Sequence, residues 1–303
     1  MTIFPPYLRK GDTIAITCPA GFMPYQHATN CIKTLQKWGF DVLIGNTLKS
    51  KSKNYFSASD EEKIAELQAM LDADNIQAIL FGRGGYGMSR IIDQLNFSRF
   101  KKNPKWLIGF SDLTVIHSHV FSNYRIATIH GPMSGAFNPT KKQEIHTEAL
   151  HKMITGKKNR YCSDYFHLNR LGKTEGTIIG GNLSLLVNCI GTKSDISTKN
   201  KILFIEDIGE HLYTIDRMLQ QLKRSGKLKQ LSGLVVGGFT DLKDTERPFG
   251  KKIETIIFEA VKEYDFPVCF HFPVSHGAEN YPIKIGATYS LVITKKNSTL
   301  IEK

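Results

Sequence analysis

At 303 residues with 41 % hydrophobics the chain can bury a sizeable core. At about 100–200 residues per domain, two domains are expected, one large domain being the alternative. The stretch Met1 to Lys10 has neither the apolar core nor the small-residue cleavage site of a signal peptide, and no run reaches the ~18 apolar residues of a membrane span, so a cytoplasmic protein without a membrane partner is expected. A net charge of +12 permits nucleic-acid binding, but the basic residues fall in small scattered clusters (Lys49 to Lys53, Lys101-Lys102, Lys141-Lys142, Lys157 to Arg160) without interleaved stacking aromatics. The expectation is therefore no nucleic acid, and a basic surface that draws in a small anionic substrate.

From Thr13 to about Met133, short apolar runs alternate with helical patterns. The runs are Thr13–Thr17, Phe40–Ile44, Ile76–Phe81, Trp106–Phe110 and Ala127–His130. This rhythm predicts β-α-β units and a parallel sheet. Ser59-x-x-Glu62 reads as a capping box before Ile64, Leu67 and Leu71, and Gly39 after Trp38 as a helix stop. A polar, charged region from Asn138 to about Lys173, holding one helix near Glu144 to Ile154, is expected to connect the domains. Beyond it, strands are predicted at Gly176–Ile179, Ile202–Ile205, Gly233–Val236, Pro267–Phe270 and Tyr289–Ile293, with helices near Leu183–Ile190, Leu212–Leu222 and Ile253–Tyr264. The expected division is 1–138, 139–173 and 174–303.

Cys18, Cys31, Cys162, Cys189 and Cys269 make an odd count without C-x-x-C spacing, which fits reduced thiols and argues against a zinc site. His117-Ser-His119 is the one close histidine pair of metal-site type. Its neighbours Leu113, Val115, Ile116, Val120 and Phe121 read as a buried helix, so no metal is expected.

Two segments carry chemistry. Gly82-Arg-Gly-Gly-Tyr-Gly87 follows an apolar strand, and such a loop exposes backbone N–H groups that can cradle a phosphate or an oxyanion. Its spacing departs from the dinucleotide pattern G-x-G-x-x-G, and a plain tight turn is the alternative reading. In Gly109-Phe-Ser-Asp-Leu-Thr114 a strand meets a helix and places Ser111 at a helix N-terminus, where the N–H of Asp112 faces any adjacent anion. On its own this is equally an ordinary N-cap, and the second glycine of G-x-S-x-G is missing.

Taken together, Gly82 to Gly87, Gly109-Phe-Ser-Asp112, His130-Gly-Pro-Met133, Gly180-Gly-Asn-Leu183, Ile205-Glu-Asp-Ile-Gly-Glu-His-Leu-Tyr-Thr-Ile-Asp-Arg217 and Ser275-His-Gly277 resemble the LD-carboxypeptidase family over nearly the whole chain. That family includes cytoplasmic murein tetrapeptide carboxypeptidases and the related microcin C self-immunity proteins. The resemblance implies an α/β protein. Its N-terminal domain would be flavodoxin-like (class I glutamine amidotransferase-like) with a parallel sheet, and its C-terminal α/β domain β-rich and swivelling.

It further implies a catalytic triad of Ser111, Glu206 and His276, oxyanion donors at the backbone N–H groups of Gly85 and Asp112, no cofactor, and a homodimer. The implied reaction is hydrolysis of the amide bond to the terminal D-Ala of a murein tetrapeptide during peptidoglycan recycling. Arg83, on charge and position, is the candidate for the substrate carboxylate.

Asp207 is a rival to Glu206, but consecutive strand side chains point to opposite faces, so one of the two faces the histidine. Glu210 and His211 read as solvated, and His130 as a strand-end residue able to line the cleft. Two other functions compete. One is a self-immunity peptidase that cleaves a nucleotide-linked peptide antibiotic. The absence of tryptophan after Trp106 speaks against it, though Tyr161, Tyr165 or Phe166 could stack a base. The other is a non-catalytic protein that binds an anionic ligand at Gly82 to Gly87.

Overall fold

The computed structural model describes residues 1–137 and 141–303, with side chains from residue 144 onward in the latter part. The first half runs β1 (Thr13–Thr17), α1 (Thr29–Lys37), β2 (Asp41–Ile44), α2 (Asp60–Asp72), β3 (Ala78–Phe81), α3 (Met88–Ile91), α4 (Ser98–Lys102), β4 (Trp106–Gly109), α5 (Thr114–Tyr124) and β5 (Thr128–His130). These five strands lie parallel in the order 2-1-3-4-5, the flavodoxin-like arrangement.

Side chains leave a strand on alternating faces, and the sequence uses both. Ala15, Ile79, Phe81 and Leu107 pack with Leu67 and Leu71 of α2 and Val115, Ile116 and Val120 of α5. Ile14, Ile16, Leu80, Trp106 and Ile108 pack on the opposite face with Cys31 and Leu35 of α1. The capping box starts α2 as expected: Glu62 N–H donates to Ser59 Oγ at 3.2 Å, and Ser59 N–H donates to Glu62 Oε2 at 2.9 Å.

The second half runs α6 (Lys141–Ile154), β6 (Arg160–Asp164), β7 (Gly172–Asn182), α7 (Leu183–Asn188), β8 (Lys201–Ile208), α8 (Leu212–Arg224), β9 (Gly233–Thr240), α9 (Ile253–Val261), β10 (Val268–Cys269), β11 (Ile283–Ile285), β12 (Thr288–Ile293) and β13 (Asn297–Glu302). A seven-stranded sheet has the order β10-β9-β8-β7-β12-β13-β6, parallel from β10 to β7 and antiparallel from β7 to β6. Its core includes Ile215, Leu219 and Leu222 of α8 and Ile256, Ile257 and Val261 of α9.

The halves interleave. The start of the expected connection, residues 138–140, lies outside the described residues. Further along it, Leu150, Met153 and Ile154 of α6 pack into the first-half core, and β6 forms the edge of the second sheet against β13. Strand β11 crosses back and pairs antiparallel with β5 in the first sheet. No helix among the described residues is long and apolar enough to cross a membrane.

Candidate active site

The candidate residues gather where strands of the two sheets end. Strand β4 runs out at Gly109 and the chain turns sharply into α5 through a 3₁₀ turn, Ser111–Leu113. Ser111 sits inside that turn with φ +63°, a left-handed conformation that is rare for a non-glycine residue and marks local strain. It is therefore not an N-cap, whose backbone would be extended. Phe110 holds that place, and no side chain caps the turn. Ser111 stands at the strand end and is half-buried.

The glycine loop lies directly on this turn. A side chain on Gly84 would stand 2.8 Å from Ser111 Cβ and 3.4 Å from the Asp112 nitrogen, so only glycine lets the two segments meet. The Asp112 carboxylate is fully buried, and its Oδ2 accepts the Met88 N–H at 2.8 Å, tying the loop's far end to the turn. Burial pushes the Asp112 carboxyl up to about 6.

Glu206 and Asp207 end the buried stretch of β8 and part as strand geometry requires. Glu206 is completely buried, and its Oε2 lies 2.5 Å from His276 Nδ1. Burial raises its carboxyl above the ordinary range, while the histidine beside it acts in the opposite direction. Asp207 instead accepts from Asn182 Nδ2 at 2.7 Å, Ser184 N–H at 3.0 Å and Ile208 N–H at 2.8 Å, which fixes the start of α7. Glu210 and His211 follow on the partly exposed loop into α8, and His211 bridges to Lys243.

His276 rides on a hairpin after β10. Val274 pairs with Asn280, Tyr281 N–H donates to Pro273 O at 3.0 Å, and Ser275 Oγ accepts the Gly277 N–H at 3.0 Å. The imidazole meets the Phe110 ring edge-on at 4.8 Å, which sets it beside the residue that precedes Ser111. Its Nε2 is sealed from solvent and has no hydrogen-bond partner among the described residues, Ser111 included. Catalytic hydrogen bonds are often loose in a free enzyme and tighten on the substrate.

A cavity of about 460 Å³ adjoins His276, lined among others by Met23, Arg83, Phe110, Met133 and Asn280. Arg83 is exposed on its wall, with Nη1 donating to Phe22 O at 2.8 Å. A larger cavity of about 1130 Å³ lies between β2 and α2 and is lined by none of these groups. Chemistry, not size, identifies the site.

The remaining candidates are accounted for by packing. His117 Nε2 bonds Gly109 O at 2.8 Å, and burial lowers its imidazole to about 4, so it buttresses the strand end as a neutral ring. His119 Nδ1 bonds Ser194 Oγ at 3.0 Å. His130 is fully buried between Phe110 and Phe204 and held far below the usual histidine range by burial. Of the aromatics able to stack a base, Tyr161 is buried with its hydroxyl on Pro282 O at 2.8 Å, and Phe166 packs against Phe270 and His271, leaving Tyr165 exposed.

Sequence reasoning did not find Phe110 as the wall behind His276 or Asn182 as the partner of Asp207. The only signals were an aromatic directly before Ser111 and an asparagine closing Gly180-Gly-Asn182.

A flavodoxin-like sheet facing a mixed sheet, with a serine elbow, a glycine loop and a buried Glu–His pair between them, defines the class, and the chain belongs to the LD-carboxypeptidase family. Residues 14–131 match the LD-carboxypeptidase N-terminal domain and 175–291 the LD-carboxypeptidase C-terminal domain. It is 33 % identical to the "Probable murein peptide carboxypeptidase" of Bacillus subtilis, over 98 % of this chain and 93 % of that protein. It is 28 % identical to the murein tetrapeptide carboxypeptidase of Pseudomonas aeruginosa, over 91 % of each. Among solved structures, muramoyltetrapeptide carboxypeptidase from Oxalobacter formigenes superposes with a TM-score of 0.85 at 26 % identity, covering 96 % of this chain and 98 % of that one.

Proposed function

We propose that this protein is a serine LD-carboxypeptidase that releases the terminal D-Ala of murein tetrapeptide. The observation that carries the reading is the buried Glu206 carboxylate at 2.5 Å from His276 Nδ1, with the imidazole packed on the residue before Ser111. Serine needs a base to become a nucleophile, and the base needs an orienting partner.

Ser111 Oγ attacks the amide carbon between the L-configured centre and D-Ala while its proton passes to His276 Nε2. Glu206 accepts the His276 Nδ1–H and stabilises the imidazolium. The N–H groups of Gly85 and Asp112 bind the oxyanion, and His276 protonates the departing amine. Water, deprotonated by the same histidine, then splits the acyl ester. The Arg83 guanidinium pairs with the terminal carboxylate that defines a carboxypeptidase substrate.

Mass spectrometry of a murein tetrapeptide before and after incubation tests this. Wild type should yield the tripeptide and D-Ala, and Ser111→Ala should yield neither. Exclusive cleavage of a nucleotide-linked peptide would move the protein to the immunity branch, and retained activity in Ser111→Ala would remove the nucleophile. A cytoplasmic setting in cell-wall recycling and a homodimer complete the reading, supported by family resemblance and checked by fractionation and light scattering.

A further inference from the structure

Gly82, Phe110 and Met133 follow the neighbouring strands β3, β4 and β5, and all three line the cavity beside His276. Open α/β sheets bind their ligands in this position, outside the carboxyl ends of the strands. Gly277 and Ala278 of the His276 hairpin join the lining from the second half. The lining also tells which side of the scissile bond the cavity serves. His276, which hands a proton to the departing amine, is part of the wall, and so is Arg83, assigned above to the terminal carboxylate. Ser111, Gly85 and Asp112, which hold the acyl carbon and its oxygen, are not. The cavity therefore lies on the leaving side.

Size and wall chemistry set what it can hold. Its volume is about 460 Å³. Pockets of about 300–1,000 Å³ enclose drug-sized ligands, whereas the side chain of D-Ala is a single methyl group. The wall is chiefly apolar: Met23 and Met133 are buried, and Phe110, Pro132 and Ala136 share the lining with them. Methionine side chains are flexible and adapt to the shape of an apolar neighbour. His27, His146 and Asn280 bring polar atoms as well, so a charged side chain is the competing occupant.

We propose that this cavity is the subsite for the side chain of the departing D-residue, and that the protein releases long apolar D-amino acids such as D-Met in preference to D-Ala. The proposal rests on the serine carboxypeptidase reading above and names the substrate class of that site. The chemistry is unchanged: the amide C–N bond breaks, the amine leaves with the proton from His276, and water supplies the hydroxyl of the new carboxylic acid. An apolar side chain that stays in the cavity while the bond breaks is bound in the transition state too, so the preference falls on kcat/KM.

Tetrapeptides identical except for a terminal D-Ala, D-Met or D-Glu test it, with the released amino acid followed by mass spectrometry. For D-Met, kcat/KM should exceed that for D-Ala by about 10- to 100-fold, the range that added apolar groups reach in a hydrophobic pocket. D-Glu should fall below D-Met. Gly135 is part of the lining, and a side chain there meets no described atom within 4 Å, so Gly135→Leu should narrow the cavity and bring D-Met back toward parity with D-Ala. A D-Met rate no higher than that of D-Ala overturns the proposal. D-Glu in the lead overturns it as well, since the polar groups would then decide, and so does a D-Met preference that survives Gly135→Leu, since the side chain would then bind elsewhere. Release of D-Ala alone sinks only this proposal. If the folded wild type releases none of the three, the carboxypeptidase reading itself fails and takes the subsite with it.

Discussion

Glu206 and Asp112 are both buried carboxyls at the serine turn, and their surroundings assign them different work. Glu206 turns one oxygen to His276, and its other has no hydrogen-bond partner among the described residues. Glu206→Gln keeps the shape but replaces the acceptor with an amide that can favour the wrong tautomer. Turnover should fall by about 10³- to 10⁴-fold with KM little changed, as measured by D-Ala release. Asp112 offers a pH signature. Its folded carboxyl titrates at about 6 against an ordinary value of 3.8. Between those values the folded protein binds more protons than the unfolded chain, so stability falls as pH rises through about 4 to 6. The effect is at most about 3 kcal/mol. Urea titrations from pH 4 to 7 should show this slope in wild type, and Asp112→Asn should flatten it.

At the scale of elements, local signals sufficed where an element closes on itself. The capping box of α2 is one such case: Ser59→Ala should cost about 1 kcal/mol, read as a lower midpoint in denaturant unfolding. Strands β1, β3 and β4 were legible because each is an apolar run between two helix-covered faces, and their ends gave the positions of the glycine loop and Ser111. Strands β6, β11 and β13 were not legible. Of Arg160–Asp164 only Tyr161 is buried, which leaves an edge strand without a readable alternation. Ile283–Ile285 has three residues, all buried, and its register comes from pairing with β5 more than 150 positions earlier, information no local pattern contains. The candidate site followed the same division. Glycines and strand ends were visible one segment at a time, whereas Glu206 was assigned by the family resemblance, and what separates it physically from Asp207 is the partners of each: His276 for one, Asn182 and Ser184 for the other.

At the scale of the whole molecule, one buried ion pair ties the two sheets. Lys284 of β11 lies in the first sheet and Glu302 of β13 in the second. Their Nζ and Oε1 stand 2.5 Å apart, with side chains 1 % and 4 % exposed. The ammonium is further enclosed by the rings of Phe4, Tyr7 and Trp106, at 5.9, 5.1 and 5.7 Å. Two charges out of water gain little net stability from each other, but removing one leaves the other uncompensated in a dry site. Lys284→Met should therefore destabilise by about 3–5 kcal/mol, and Lys284→Met combined with Glu302→Leu should recover most of that loss. Hydrogen exchange locates the effect. In the single variant the β11 amides paired with β5 should exchange faster than those of β1 and β3, since the lost contact holds the crossing strand and not the centre of the sheet. The cleft depends on that strand: the chain runs through the His276 hairpin directly into β11, so loosening it should also widen the distribution of His276 positions relative to Ser111. D-Ala release should then fall in Lys284→Met and return in the double variant. An unchanged rate in the single variant would mean that the hairpin is held by its bonds to β9, such as Gly238 N–H to Val274 O at 3.0 Å, and not by the strand that follows it.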